Sequence, residues 1–323
     1  MDSVAAAIAK AAADQAMPPP ALVPPVTPGR VLLVDGDYLA YYCGGSQEKE
    51  TTVSESRNAA RERLEKFRIY GGAEKIVVHL TDNASNKGDR FVAATVKPYQ
   101  GNRGGSPKPR NWEYLRDWMQ TGGDGLFKVR TWMDREADDG AAYHAMVLGP
   151  DKCVMTIADK DWRMIPGWHI DWKTWLMTYM APGEFRIDGI DGHMHGEAFF
   201  WYQLLAGDTA DHIPGLPNWV KPNGKEEKLG AARALDHIDR VSNNLEAFYR
   251  VGALYRTKYG DQWPDALAEQ MSLLWMRRDA KAEIDDCLRW MPKLVADTMQ
   301  PAFNRLADRI KREKEAVESL CKS

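Results

Sequence analysis

Carboxylates dominate the residues that could do chemistry, and their positions follow a pattern. Asp35 follows the apolar run Val31-Leu32-Leu33-Val34, Asp82 follows a run of the same kind that begins at Lys75, and Asp159 follows a third that begins at Cys153. Such runs suit strands of a parallel sheet buried on both faces. Ligands of these sheets bind in the crevice beyond the carboxyl ends of the strands. The three aspartates are therefore expected along one rim, with Asp161 reaching the same cavity from the loop. Glu136-Ala137-Asp138-Asp139 adds a second source, opening a helix with Glu136 and Asp139 as i,i+3 neighbours. Helix-dipole stabilisation alone would also favour carboxylates there. Asp208 and Asp211 form a third pair, for which a capped helix start or an Asx-turn before Ile213-Pro214-Gly215 is the plain alternative.

Two carboxylates ~4 Å apart repel by roughly 4 kcal/mol at an effective dielectric near 20. A cluster of this size stays ionised only around cations. An all-oxygen donor set without His or Cys suits Mg²⁺, with Mn²⁺ as a substitute. Two such ions ~4 Å apart can activate a water and stabilise the leaving oxygen of a phosphodiester. The expected chemistry is metal-dependent phosphodiester hydrolysis with no protein nucleophile.

The elements that must position these groups are legible in outline. Strands are expected at 31–34, 75–80, 127–132 and 153–157. Helices are expected at 54–70, around 112–120 and from Glu136. This alternation argues for an α/β fold with a mostly parallel central sheet flanked by helices. From about residue 192 helical patterns take over, at 197–206, 229–235, 244–259, 263–277 and 299–320. Residues 1–29 are rich in Ala and Pro and read as a flexible extension. The expected division is that extension, an α/β catalytic core over 30–191, and a helical part over 192–323.

Composition bounds the function classes. Of 323 residues, 44% are apolar and 28% charged, which excludes a disordered or fibrous chain. No run approaches the ~20 apolar residues of a membrane span, and residues 1–17 lack the features of a signal peptide. Four widely spaced cysteines form no zinc or CxxC pattern, which fits a reduced, cytoplasmic setting. The net charge is −3, yet with the clustered carboxylates set aside the remainder is net basic, as a polyanion-binding surface requires. Twelve tryptophans fit either a large aromatic core or base-stacking surfaces. His193 and His195 are more simply read as part of a turn than as metal ligands.

In order along the chain stand VDGDY from Val34, LTDN from Leu80, YQGNR from Tyr99, EADD from Glu136, ADKDW from Ala158 and GDTADHIPG from Gly207. Together these motifs resemble the flap-endonuclease-like 5′-nuclease superfamily, and most closely the 5′→3′ exonucleases of T7-like phages. The resemblance covers about residues 30 to 240. It implies two metal sites, with Asp35, Asp82, Glu136, Asp138 and Asp139 nearer the first ion and Asp159, Asp161, Asp208 and Asp211 nearer the second. It implies a helical arch over about 93–122 for single-stranded 5′ ends and a helix–three-turn–helix that grips duplex DNA. Its substrates would be DNA with 5′ ends, flaps or nicks, and RNA–DNA hybrids at primers. The protein would be a monomer in the cytoplasm, the host's if phage-encoded.

Gln100 stands where the family usually has Lys or Arg, so Lys97 or Arg103 is expected to supply the catalytic cation. Tyr99, Gln100, Arg103, Lys108 and Arg110, with Arg116 beyond them, are expected to meet nucleic acid. So are Gly215, Gly230 and Arg233, although an insertion over 218–228 displaces the hairpin on which the family's K⁺ site is built. Alternatives are a PIN-type ribonuclease, a haloacid-dehalogenase-type phosphatase using Asp35-Gly36-Asp37, and a non-catalytic DNA-junction binder.

Overall fold

A computed structural model of the chain describes residues 23–104, 107–187, 194–216, 218–220 and 223–321. Strand β1 (Val31–Asp35) leads into helix α1 (Gly36–Cys43), α2 (Val53–Tyr70) and β2 (Lys75–Thr81). A short α3 (Arg90–Ala93), α4 (Trp112–Gln120), β3 (Lys128–Trp132), α5 (Ala137–Leu148) and β4 (Cys153–Ile157) follow. Two further strands, β5 (Gly167–Asp171) and β6 (Met177–Met180), complete one sheet of order β3-β2-β1-β4-β5-β6. Within this sheet the β5–β6 pair is antiparallel and the others are parallel.

The all-apolar character of β1 has the anticipated cause. Leu33 belongs to one core cluster, together with Val77, Cys153 and Met155 of the neighbouring strands. Leu32 and Val34 point to the opposite face and join Ile76, Val78, Leu80 and Val154 in a second cluster. Helices α1, α2 and α4 cover that second face, and α5 with the C-terminal helices covers the first. The sheet thus needs apolar residues at successive positions rather than alternate ones. Chain direction across the sheet reverses between β1 and β4, which makes the carboxyl ends of these two strands the topological switch point.

Among the described residues the C-terminal half is helical apart from two small hairpins. β7 (Phe185–Ile187) pairs with β8 (Met194–Gly196), and α6 (Glu197–Ala206) follows directly. β9 (Asn218–Val220) pairs with β10 (Glu226–Lys228), so the insertion noted in the sequence is a two-stranded hairpin. It leads into α7 (Ala231–Ile238), α8 (Asn244–Tyr259), α9 (Trp263–Leu274) and α10 (Lys293–Cys321). Helix α9 ends at Leu274 rather than at 277, because Arg277 and Arg278 run on as buried non-helical backbone that binds the core.

Several expectations are corrected or resolved. Between Ala94 and Asn111 the described backbone carries no helix, so the arch segment is a loop there. Trp162, Trp201 and Trp275 are at most 1% exposed, which assigns much of the tryptophan content to the core. His193 lies outside the described residues, and His195 is buried. Residues 1–22 also lie outside them, whereas the Thr27 and Gly29 N–H groups bind Gly72 and Glu74. Among the described residues no helix is long and apolar enough to cross a membrane, and Cys43, Cys153 and Cys287 are free and buried.

Candidate metal centre

Asp35 and Asp159 end the two segments that flank the switch point, and local geometry fixes each one. Asp35 caps α1, accepting the Asp37 and Tyr38 N–H groups at 2.9 and 3.1 Å. A Cβ on Gly36 would lie 2.6 Å from Val78 Cγ1, so only glycine lets the chain turn into α1 this close to β2. Asp159 caps a single 3₁₀ turn over Lys160–Met164, accepting the Asp161 N–H at 2.9 Å. Asp82 sits just past β2 on the same rim and accepts the Ala84 N–H at 2.8 Å.

Glu136 occupies the N-cap of α5 but makes no capping bond with its side chain. Its carboxylate turns instead to the Tyr99 hydroxyl at 2.6 Å, Gln100 Nε2 at 3.1 Å, Arg90 Nη1 at 3.3 Å and Lys87 Nζ at 3.4 Å. The dipole explanation of this position therefore does not account for its orientation. Asp208 and Asp211 lie in the turn between α6 and Gly215, closed by a bridge between Asp208 and Ile213. Gly215 has φ +62°, and a Cβ there would meet Gly207 N at 2.4 Å.

Oxygens of Asp161, Asp208 and Asp211 all lie within 4.8 Å of one another. Burial and mutual repulsion mark the cluster electrostatically. Burial, with the fields of Asp159 and Glu136, pushes the Asp35 carboxyl up to about 7. Burial likewise lifts Asp161 to about 8, assisted by Asp159, and Asp211 to about 6 against the opposing pull of Arg103. Asp138 is raised well above the carboxylate range by burial and by Asp139 and Glu136. Gln100 Nε2 donates to Glu136 at 3.1 Å and to Asp211 at 3.2 Å, which joins the two sets of acids. Negative charge this concentrated and this poorly solvated calls for cations, and the donors are all oxygen. The residues fit divalent ions of the Mg²⁺ type.

Side-chain cations already neutralise part of this charge. Arg90 makes a two-pronged pair with Asp139 at 2.5 and 2.9 Å. Lys160 Nζ lies 3.1 Å from Asp161 and 2.7 Å from Asp208, and Arg103 pairs with Asp211. Lys87 also donates to Gln100 Oε1 at 2.8 Å. Gln203, 1% exposed, donates to Asp161 at 2.7 Å. Sequence reasoning missed Lys87, Arg90, Lys160 and Gln203. Only Lys160, set between two of the acidic residues, carried a local signal.

Other site expectations change. Asp139 does not face the cleft: it is fully buried, with its oxygens taken by Arg90 and by the Arg277 N–H at 2.7 Å. Burial opposes its ionisation, but Arg90 overrides this and holds the carboxyl below its usual range. Tyr99 is 4% exposed and binds Glu136, so it does not present a face for stacking on a base. Gln100 bridges Glu136 and Asp211. Arg116 is buried against Asp37 and the Thr81 carbonyl rather than turned toward phosphate. Asp37 also accepts the Thr81 N–H at 3.0 Å.

Of the two residues expected to supply the catalytic cation, Arg103 reaches the cleft, while Lys97 is exposed and takes no part in these contacts. Lys108 lies 3.6 Å over the Trp112 ring, and Arg110 is exposed beside it. The buried Gly215 N–H is held by Gln270 at 3.0 Å, which removes it from nucleic-acid contact. Gly230 is the exposed N-cap of α7, with Arg233 half-buried in its first turn. A separate groove of about 510 Å³ between α3 and α10 is lined by Phe91, Thr95, Arg309 and Val317 and contains none of the clustered carboxylates.

The six-stranded sheet with its helical C-terminal half matches the fold of known 5′-nuclease structures. The chain is similar to the flap endonuclease of bacteriophage T5 in complex with DNA and metal ions, at 17% identity and a TM-score of 0.56. It is also similar to the T5 5′-exonuclease with zinc bound, at 18% identity and a TM-score of 0.54. Each match covers 87% of this chain and 99% of the other. No family model and no curated protein sequence matches the chain.

Proposed function

We propose that the chain is a divalent-metal-dependent 5′-nuclease. In this reading it hydrolyses phosphodiester bonds at the 5′ ends of DNA, at flaps and nicks, and at RNA primers, in the 5′→3′ direction. The observation that carries this is the meeting of Asp161, Asp208 and Asp211 oxygens within 4.8 Å, supplied by two segments far apart in sequence. The shared fold with metal-bound and DNA-bound phage nucleases supports it.

Asp35, Asp82, Glu136 and Asp138 would hold one Mg²⁺, and Asp159, Asp161, Asp208 and Asp211 a second. When bound, such ions supply an activated water and neutralise charge on the leaving oxygen. The chain's own groups do the positioning. Gln100 ties Glu136 to Asp211, and Gln203 orients Asp161. Arg103 and Lys87, at the edge of the acid cluster, would take the scissile phosphate in place of the cation that Gln100 cannot supply. Residues 30–191 would carry the chemistry, and 192–323 would hold the duplex as a monomer, with Gly230 and Arg233 at the start of α7 meeting phosphate.

The test is digestion of one duplex labelled separately at each end, with Mg²⁺ and with EDTA. Loss of the 5′ label alone, abolished by chelation, is expected. Loss from the 3′ end, or activity that persists in EDTA, overturns the reading.

A further inference from the structure

We infer that Lys160 is a tethered cation that occupies the Asp161–Asp208 half of the cleft and must be displaced when a divalent ion binds there. The inference rests on the metal-dependent reading above but adds a residue and a coupling that the reading does not contain.

The ammonium sits between carboxylates that are far apart in sequence, 3.1 Å from Asp161 Oδ1 and 2.7 Å from Asp208 Oδ2. Those two residues, with Asp211, are the ones whose oxygens converge closely enough to hold an ion. Their remaining bonds are fixed by the fold, from Gln203 to Asp161 and from the Ala210 N–H to Asp208. Lysine and ion therefore compete for the same oxygens at short range, and the unit charge must move outward when the divalent one enters.

Lys160 is able to move. Its side chain is 40% exposed, whereas Asp161 and Asp208 are 13% and 3% exposed. It passes near the Phe199 ring at the edge of the cleft, with its ammonium 5.9 Å from the ring centre. Once released, it remains tethered between Asp159 and Asp161, within reach of an anionic phosphate at the cleft mouth. A phosphate that takes the ammonium removes the ion's competitor, so DNA and the second ion should bind cooperatively.

The test is Mn²⁺ binding to the full chain, followed by electron paramagnetic resonance of the free ion. Wild type, Lys160→Met and Lys160→Arg are compared with and without a short 5′-phosphorylated duplex, after circular dichroism has established equal folding. Without DNA, Lys160→Met is expected to tighten the weaker class of Mn²⁺ sites by roughly tenfold, while Lys160→Arg keeps it weak. Adding duplex should tighten that class in the wild type and change it little in Lys160→Met. Unchanged or weaker Mn²⁺ binding by Lys160→Met, in a chain whose wild type binds Mn²⁺, overturns the role of Lys160 and leaves the nuclease reading intact. Failure of the wild type to bind Mn²⁺ at all overturns both.

Discussion

The two halves of the acidic cleft are built differently. Asp35, Glu136 and Asp138 stand at the ends of β1 and the start of α5, backed by the buried Arg90–Asp139 pair. Arg90 extends that support into the helical half, donating to the Leu273 and Trp275 carbonyls at 3.1 and 2.8 Å. Asp161, Asp208 and Asp211 sit instead on a single 3₁₀ turn and a short bridged turn. Their neutralising groups, Lys160 and Arg103, are 40% and 54% exposed. One half is held by buried charge pairs that cannot rearrange without loss of structure. The other is balanced by partly exposed cations on short turns and loops. The same kind of donor thus stands in two surroundings, and the difference lies in what stands behind the carboxylates.

Substitutions should separate the halves. Asp159→Asn, at their junction, is expected to lower turnover in saturating Mg²⁺ by on the order of 10³-fold or more, because an ion's contribution is several kcal/mol. Duplex affinity, measured by fluorescence anisotropy, should stay near that of the wild type. Asp139→Ala should behave in the opposite way. It leaves the buried Arg90 guanidinium without its two-pronged partner and with only the more distant Glu136 as counter-charge, and urea unfolding should register a loss of about 3–5 kcal/mol. Equal stability in the two variants would erase the distinction between the halves.

Divalent ions are expected to raise the melting temperature, with a stabilisation of about 2.7 kcal/mol when the free ion is at a hundred times its dissociation constant. Asp208→Asn should lose most of that gain. Tyr99→Phe removes a hydroxyl bonded to a carboxylate and should cost roughly 1.5–3 kcal/mol of stability. A residue that only stacked on bases would tolerate the change.

The smallest effect concerns pH. Asp35 and Asp161 are pushed up to about 7 and about 8 in the fold and return to ordinary values on unfolding. The native state therefore holds protons that the unfolded chain has released, and stability falls as pH rises. With ions chelated, the melting temperature should drop from pH 6.5 to 8. Saturating Mg²⁺ should remove that slope. A flat profile in EDTA would mean that these carboxylates are not crowded together.

Much of this molecule was written in its residue order. The periodicity at 112–120, 197–206 and 244–259 corresponds residue for residue to α4, α6 and α8. The apolar run at 153–157 is β4. Apolar spacing is a local property, and a helix or buried strand imposes it directly on the sequence. The acids at strand ends were legible for the same reason, since position after a buried strand implies a rim. β5 and β6 escaped notice because Gly167–Asp171 and Met177–Met180 are short and partly polar and lie toward one edge of the sheet.

Tertiary structure decided which charges face the cleft and which serve the core. Asp138 and Asp139 are adjacent in sequence, yet one is crowded by acids and the other is clamped by an arginine 49 residues away. Arg116 and Arg103 look alike in the arch segment, but the first is buried on Asp37 and the second reaches Asp211. Tyr99 became a buried prop for Glu136 in the same manner. Residue type sets what a side chain can bind. Which partner it finds depends on contacts between distant segments, and no local pattern encodes those.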